Sequence, residues 1–152
     1  MEKSLRIRRA DSRDTNTIAG FNASMAQETE NKALDKDATL KGAAYLFENP
    51  GYGFYLIAEC NGETAGSLMV TYEWSDWRNK FYWWVQSVYI KPEFRRQGIF
   101  RAMYENLTAQ AKEAGNVCGL RLYVEKENKR AQATYAELGM TPSHYLMYET
   151  DF

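Results

Sequence analysis

The sequence holds one histidine, His144, and two cysteines, Cys60 and Cys118. A histidine-rich metal site is therefore excluded, and so is any Ser-His-Asp triad needing a second histidine. A triad through His144 itself would need a nucleophile elbow, and the chain has none. The cysteines fit neither a metal-ligand spacing nor a disulfide framework, which predicts free thiols in a reducing compartment. No run of about 18 apolar residues occurs, and the start "MEKSLRIRRAD" lacks the apolar segment of a secretory signal. The expectation is a soluble, cytoplasmic protein with no membrane partner. Charge of neither sign dominates: 19 Lys and Arg stand against 20 Asp and Glu, a net charge of -1. That leaves no basic field to hold nucleic acid.

What is present is the material of one globular domain. The 152 residues are 45% hydrophobic and 26% charged, with no repeat, linker or low-complexity segment, so residues 1–152 read as a single domain. Aromatics reach 14%, including eleven Tyr and four Trp, and these must fill a core, line a pocket, or both.

Residues 5–10, "LRIRRA", alternate as a strand with one buried face. Residues 14–27 place Ile18, Phe21, Met25 and Ala26 at helical spacing, and residues 35–49 do the same with Leu40, Ala43, Ala44 and Phe47. Asn61-Gly62 splits residues 53–74 into a hairpin. "FYWWVQSVYI", 81–90, is apolar at successive positions, which predicts a central strand buried on both sides. A helix follows from Gly98 to Gly115, with Ile99, Phe100, Met103, Tyr104, Leu107 and Ala111 on one face. "GLRLYVE" reads as a strand, and "NKRAQATYAELG" as a helix capped by Asn128 and stopped at Gly139. "SHYLMYET" reads as a last strand. The predicted order is β-α-α-β-β-β-α-β-α-β, an α/β fold. Its first four strands pair antiparallel, and a parallel crossover runs through the 98–115 helix.

The stretch "PEFRRQGIFRAMYENL" places Arg95, Arg96, Gln97 and Gly98 ahead of a helix where Ser, Asp or Thr would ordinarily cap. Free amides at a helix start, with the helix dipole behind them, suit an anion such as phosphate. Glycine there lets a ligand approach the backbone, and an arginine adds charge-assisted bonds. A solvated basic turn with a glycine for a tight bend would read the same way. The turn does not match a P-loop or a dinucleotide-binding glycine pattern.

Two linked motifs carry a more specific signal. "VYIKPEFRRQGIFRAMYENL" resembles motif A of the GNAT superfamily, the acyl-CoA-dependent N-acyltransferases, whose signature is Gln/Arg-x-x-Gly-x-Gly/Ala. Arg95 and Gly98 match it, while Phe100 departs from the small residue at the third position. "NKRAQATYAELGM" is similar to the family's later motif, with Asn128, Ala131, Tyr135 and Gly139 in register. The resemblance covers nearly the whole chain. It implies a mixed, centrally splayed β-sheet flanked by helices. It further implies that acetyl-CoA is the co-substrate, no metal is needed, and acetyl transfer goes directly to a primary amine of a small molecule or peptide. A non-catalytic acyl-CoA-binding or sensor module of the same fold is the alternative.

By the same resemblance, the pyrophosphate of CoA would sit on the amides around Arg96, Gln97, Gly98, Ile99, Phe100 and Arg101. Pantetheine would run along the strand ending at Ile90, and the backbone N–H near Val88 would hold the acetyl carbonyl. Asn128 would contact pantetheine as well as cap its helix, and Tyr135 would act as general acid for the departing thiolate. Tyr135 packed on a sheet and Asn128 as a cap alone are the structural counterparts. The resemblance also allows a homodimer. An attacking amine must lose its proton, since a lysine-like ammonium has a pKa of roughly 10.4. The carboxylates offered as base are Glu28 and Glu30 in "ETEN", and Glu73 and Asp76 in "EWSDW". Each reads equally as a surface carboxylate. The indoles and phenols around Trp74, Trp77, Tyr82, Trp83 and Trp84 read as core, as a subunit contact, or as a wall against a cationic substrate.

Overall fold

The computed structural model describes residues 3–152, which divide into two compact units, 3–122 and 123–152. In the first unit, strand β1 (Leu5–Arg9) hands over to a short 3-10 turn closed by a reciprocal cap. The Asp11 carboxylate accepts from the Arg13 backbone N–H, and the Asp14 carboxylate accepts from the Asp11 N–H. Arg8 ties this corner down. Its guanidinium donates to both Asp14 oxygens at 2.8 Å and to Glu59 Oε1 at 2.8 Å.

Helix α1 (Thr15–Glu30) buries Ile18, Phe21 and Ala26 and ends at Asn31 in the left-handed region, φ 49°. Helix α2 (Lys36–Glu48) starts where Asp35 accepts from the Ala38 N–H at 2.7 Å. Its buried residues are Ala43 and Leu46. Leu40, expected in the core, is 39% exposed, and Phe47 is half-buried with its ring 5.7 Å from that of Tyr55. The helix is turned so that the Ala43–Leu46 side faces the sheet, a rotation set by packing rather than by its own periodicity.

Strands β2 (Gly53–Cys60) and β3 (Glu63–Ser75) form the expected hairpin, with Asn61 (φ 52°) and Gly62 (φ 81°) both left-handed, as a type I′ turn demands. Strand β4 (Lys80–Ile90), helix α3 (Ile99–Ala114) and strand β5 (Val117–Arg121) complete the unit. The sheet order is β1-β2-β3-β4-β5, antiparallel throughout except for the parallel β4–β5 pair. This is the mixed, splayed sheet flanked by helices that the sequence predicted.

One sheet face carries Phe54, Leu56, Leu68, Val70, Trp83 and Val85 against Ile99, Met103, Leu107 and Ala111 of α3. Met103 and Leu107 are fully buried, a contribution of roughly 2 kcal/mol apiece. The opposite face packs Tyr55 and Ile57 against Ile18, Ala43 and Leu46 of α1 and α2. Thus β2, not β4, is the strand buried on both sides. In β4 the Trp83–Val85 side is buried, while Tyr82, Trp84 and Gln86 are only half-buried. The helices α1 and α2 pack over β2, leaving that part of β4 partly open.

The second unit contains helix α4 (Lys129–Glu137). The expected strand over "SHYLMYET" does not form: residues 143–152 carry no strand, and Tyr145, Leu146, Met147 and Tyr148 are exposed. Consecutive apolar residues give no two-fold alternation to select a face. The Ser143 hydroxyl also takes the Tyr145 N–H at 3.1 Å, a local bond that competes with strand pairing. No helix among the described residues is long and apolar enough to cross a membrane.

Candidate active site

The parallel ladder between β4 and β5 runs only from Phe81↔Val117 to Trp84↔Arg121. Beyond that point β4 continues to Ile90 while β5 ends, so the sheet forks. The other edge of the same half-strand is irregular. Ser67 faces Tyr89 and Met69 faces Gln86, so β4 holds one residue more than β3 there, with Ser87 left-handed at φ 50°. This bulge resets the alternation. Val88 and Ile90 now pack on the α3 side, whereas the Tyr89 ring meets Phe21 of α1 at 5.2 Å. Gly66 makes the crossing possible, since a Cβ there would lie 2.4 Å from the Tyr89 carbonyl oxygen.

From the end of β4 the chain passes through a short 3-10 turn, Pro92–Phe94, into Arg95–Gly98. Arg96 (φ 63°) and Gly98 (φ 78°) are both left-handed, and α3 opens on Gly98 without a side-chain cap. A Cβ built on Gly98 would meet nothing within 4 Å, so the space above this backbone is open. Ile99 is buried, and Phe100 is half-buried against the α3-side core, with its ring 6.4 Å from that of Tyr104. The large residue at the motif's third position therefore packs inward. Gln97 donates to the Glu93 carbonyl at 3.0 Å, and Arg101 stands 3.8 Å from Glu105. Arg96 is exposed and has no ion pair among the described residues.

Arg95 is committed elsewhere. Its Nε donates to the Ile90 carbonyl at 2.8 Å, and its second arm reaches Glu28 Oε1 at 2.9 Å. The Tyr89 hydroxyl and Arg95 together hold the Glu28 carboxyl below its ordinary range, and burial with Glu28 beside it pushes the Tyr89 hydroxyl up. Glu28 is thus an anion paired with Arg95, whereas Glu30, at the last position of α1, is exposed.

A second cluster lies at the vertex of the fork. Glu73 Oε1 accepts from Trp84 Nε1 and from Arg121, both at 2.8 Å. The Arg121 guanidinium also lies 3.6 Å over the Tyr82 ring, which lacks room for a Cβ at Gly119, 3.0 Å away. Arg78 stands over the same ring at 5.7 Å. Gln86 donates to the Thr71 hydroxyl at 2.5 Å on this face. Asp76 and Trp77 sit in the exposed β3–β4 turn, Trp77 94% exposed. Neither Arg121 nor Tyr89 is singled out by the sequence pattern. The available signal for Arg121 was its even spacing from Gly119 on a strand flanking the motif helix.

In the second unit, Asn128 caps α4 by accepting from the Ala131 N–H at 3.1 Å. Burial raises the Tyr135 hydroxyl above its ordinary value, so it is protonated at neutral pH. His144 stacks near Tyr145, with ring centroids 4.2 Å apart. Among the described residues no group of His, Cys, Asp and Glu could hold a metal ion.

A forked mixed sheet with an uncapped helix start at the end of its longer arm is the architecture of an acyltransferase domain. Residues 16–140 match the model of the acetyltransferase (GNAT) family, and the chain belongs to that family. It is 34% identical over 84 residues to the thialysine N-epsilon-acetyltransferase of Caenorhabditis elegans, across 55% of this chain and 50% of that protein. The chain thus spans about half the length of that curated relative. A possible acetyltransferase from Clostridium difficile 630 superposes with a TM-score of 0.90 at 42% identity, over 97% of each chain. An aminoglycoside N-acetyltransferase solved in complex with CoA shares the fold, with a TM-score of 0.81 at 13% identity over 99% and 97% of the two chains.

Proposed function

We propose that the chain is a single N-acetyltransferase domain that moves an acetyl group from acetyl-CoA directly to a primary amine of a small molecule or peptide. The observation that carries this reading is the open, uncapped start of α3 behind left-handed Gly98, placed at the end of the forked β4. Backbone amides at such a start, with the helix dipole behind them, suit a pyrophosphate. Arg96 is the exposed cation available to it. The half-strand Val85–Ile90 has no β5 partner, which supports pairing of its backbone with the amide-bearing pantetheine arm, and the bulge at Ser87–Val88 supports assigning the acetyl carbonyl to an amide there. Support for a single domain comes from the family match, which runs through both compact units. The names of the relatives support N-acetylation, and the CoA complex of a fold neighbour supports the co-substrate. The two free cysteines accord with a reducing, cytoplasmic setting.

The chemistry asked of the side chains is modest. The amine lone pair attacks the thioester carbon, the C–N bond forms and the C–S bond breaks. One amine proton leaves, and the thiolate takes one up. We assign the first proton to Glu73, directly or through water. Glu28 is held low by Tyr89 and Arg95, which makes it the poorer base. Tyr135, kept protonated by burial, is the donor we assign to the thiolate, with Asn128 holding the start of its helix. Thioester turnover with a panel of amines tests the reading: thiol release that depends on the amine supports it. Binding of acetyl-CoA without turnover would mark a non-catalytic acyl-CoA-binding module instead.

A further inference from the structure

The sequence offers the aromatic hairpin to a cationic substrate, but at Tyr82 the structure fills that role from within. The Tyr82 ring carries the protein's own Arg121 at 3.6 Å, with Arg78 at 5.7 Å. Two cations over one ring leave little attraction for a third. What the fork vertex presents is therefore a mixed pair.

Glu73 uses only Oε1 toward the protein, accepting from Trp84 and Arg121, and Oε2 accepts nothing among the described residues. Arg121 spends one N–H of its planar fork on Glu73, and its remaining N–H groups donate to nothing among the described residues. Both side chains are part-exposed, 43% for Glu73 and 34% for Arg121, so both reach solvent from the same face. A planar guanidinium with spare donors matches a carboxylate in two-point geometry, which a lone ammonium cannot use. The position agrees with this use, because Trp84↔Arg121 is the last rung of the ladder before β4 and β5 part.

We propose that the acceptor is an amine that also bears a carboxylate, with Arg121 binding the carboxylate and the free oxygen of Glu73 binding the ammonium before it loses its proton. Amino acids and molecules with an amino-acid head fit this description, whereas simple polyamines do not. The proposal rests on the acetyltransferase reading and adds no chemical step to it. Glu73 takes the amine proton as already described, and Arg121 acts only on binding.

Matched pairs differing by the carboxylate test it: lysine against cadaverine, ornithine against putrescine, alanine against ethylamine. The expected result is a kcat/KM at least about tenfold higher for the carboxylate-bearing member of at least one pair. In Arg121→Gln that ratio falls toward one, chiefly through KM, and Arg121→Lys recovers part of it. Equal or better use of the bare amines by the wild-type protein would overturn the proposal. So would an unchanged ratio in a folded Arg121→Gln protein, or refusal of every carboxylate-bearing amine while others are acetylated. Calorimetry with acetyl-CoA on the same samples separates the two readings. Absent binding defeats the acetyltransferase reading itself, whereas normal binding with the wrong preference defeats only the assignment of Arg121.

Discussion

Arg95 and Glu28, 67 residues apart in sequence, meet at 2.9 Å and join the last turn of α1 to the turn that opens α3. The motif arginine thus braces the Arg95–Gly98 turn through Glu28 and the Ile90 carbonyl, so its side chain is held by the protein itself. Removing the brace should loosen the turn without unfolding the domain. Arg95→Ala and Glu28→Gln are each expected to raise the KM for acetyl-CoA severalfold with little change in melting temperature, because both side chains are part-exposed. Steady-state kinetics beside thermal melts check this. A large loss of stability with unaltered KM would mean the pair serves the fold alone.

Gly98 occupies φ 78°, where an L-residue is strained, under open space. Gly98→Val should cost about 1–3 kcal/mol of stability through the backbone and place a branched side chain over the amides. The protein is expected to fold, to melt at a lower temperature, and to lose measurable acetyl-CoA binding by calorimetry. Unchanged affinity in the folded variant would remove the turn from the binding site.

Tyr135→Phe keeps the ring and removes the hydroxyl that burial holds protonated. Near-normal acetyl-CoA affinity with turnover reduced at least about tenfold is expected of a general acid. Wild-type turnover, with chemistry shown to be rate-limiting, would leave this tyrosine a packing residue.

Asp14 is lowered below its ordinary range, first by its hydrogen bond to Arg8. A depressed carboxylate contributes stability that is full above its unfolded value, roughly 3.9, and is lost as pH falls through the lower folded value. Asp14→Asn should therefore cost about 1 kcal/mol at neutral pH, after allowance for partial exposure, and flatten the acid limb of the stability profile. Denaturant midpoints at pH 7 and pH 3 read this directly: the gap between variant and wild type should narrow at the lower pH.

Local chemistry made much of this legible in sequence. Asn61-Gly62 needs two left-handed residues and has them; Gly98 and Gly115 bracket α3 as read; Asn128 caps α4 as read. What sequence spacing could not convey depends on distant partners. Leu46 rather than Leu40 turns inward because the sheet chooses the face of α2. The extra residue at Ser87 flips Tyr89 toward α1, and simple alternation along "FYWWVQSVYI" misses it. The Glu73–Arg121 and Glu28–Arg95 pairs join segments separated by 48 and 67 residues, so no window of sequence contains either.

The most direct test of acetyl transfer reads both products in one sample. With acetyl-CoA and a panel of primary amines, free thiol and N-acetylated amine should appear in equal amounts, neither forming without the amine. Thiol release that ignores the amine, or acetyl-CoA bound but never consumed across the panel, would contradict the account.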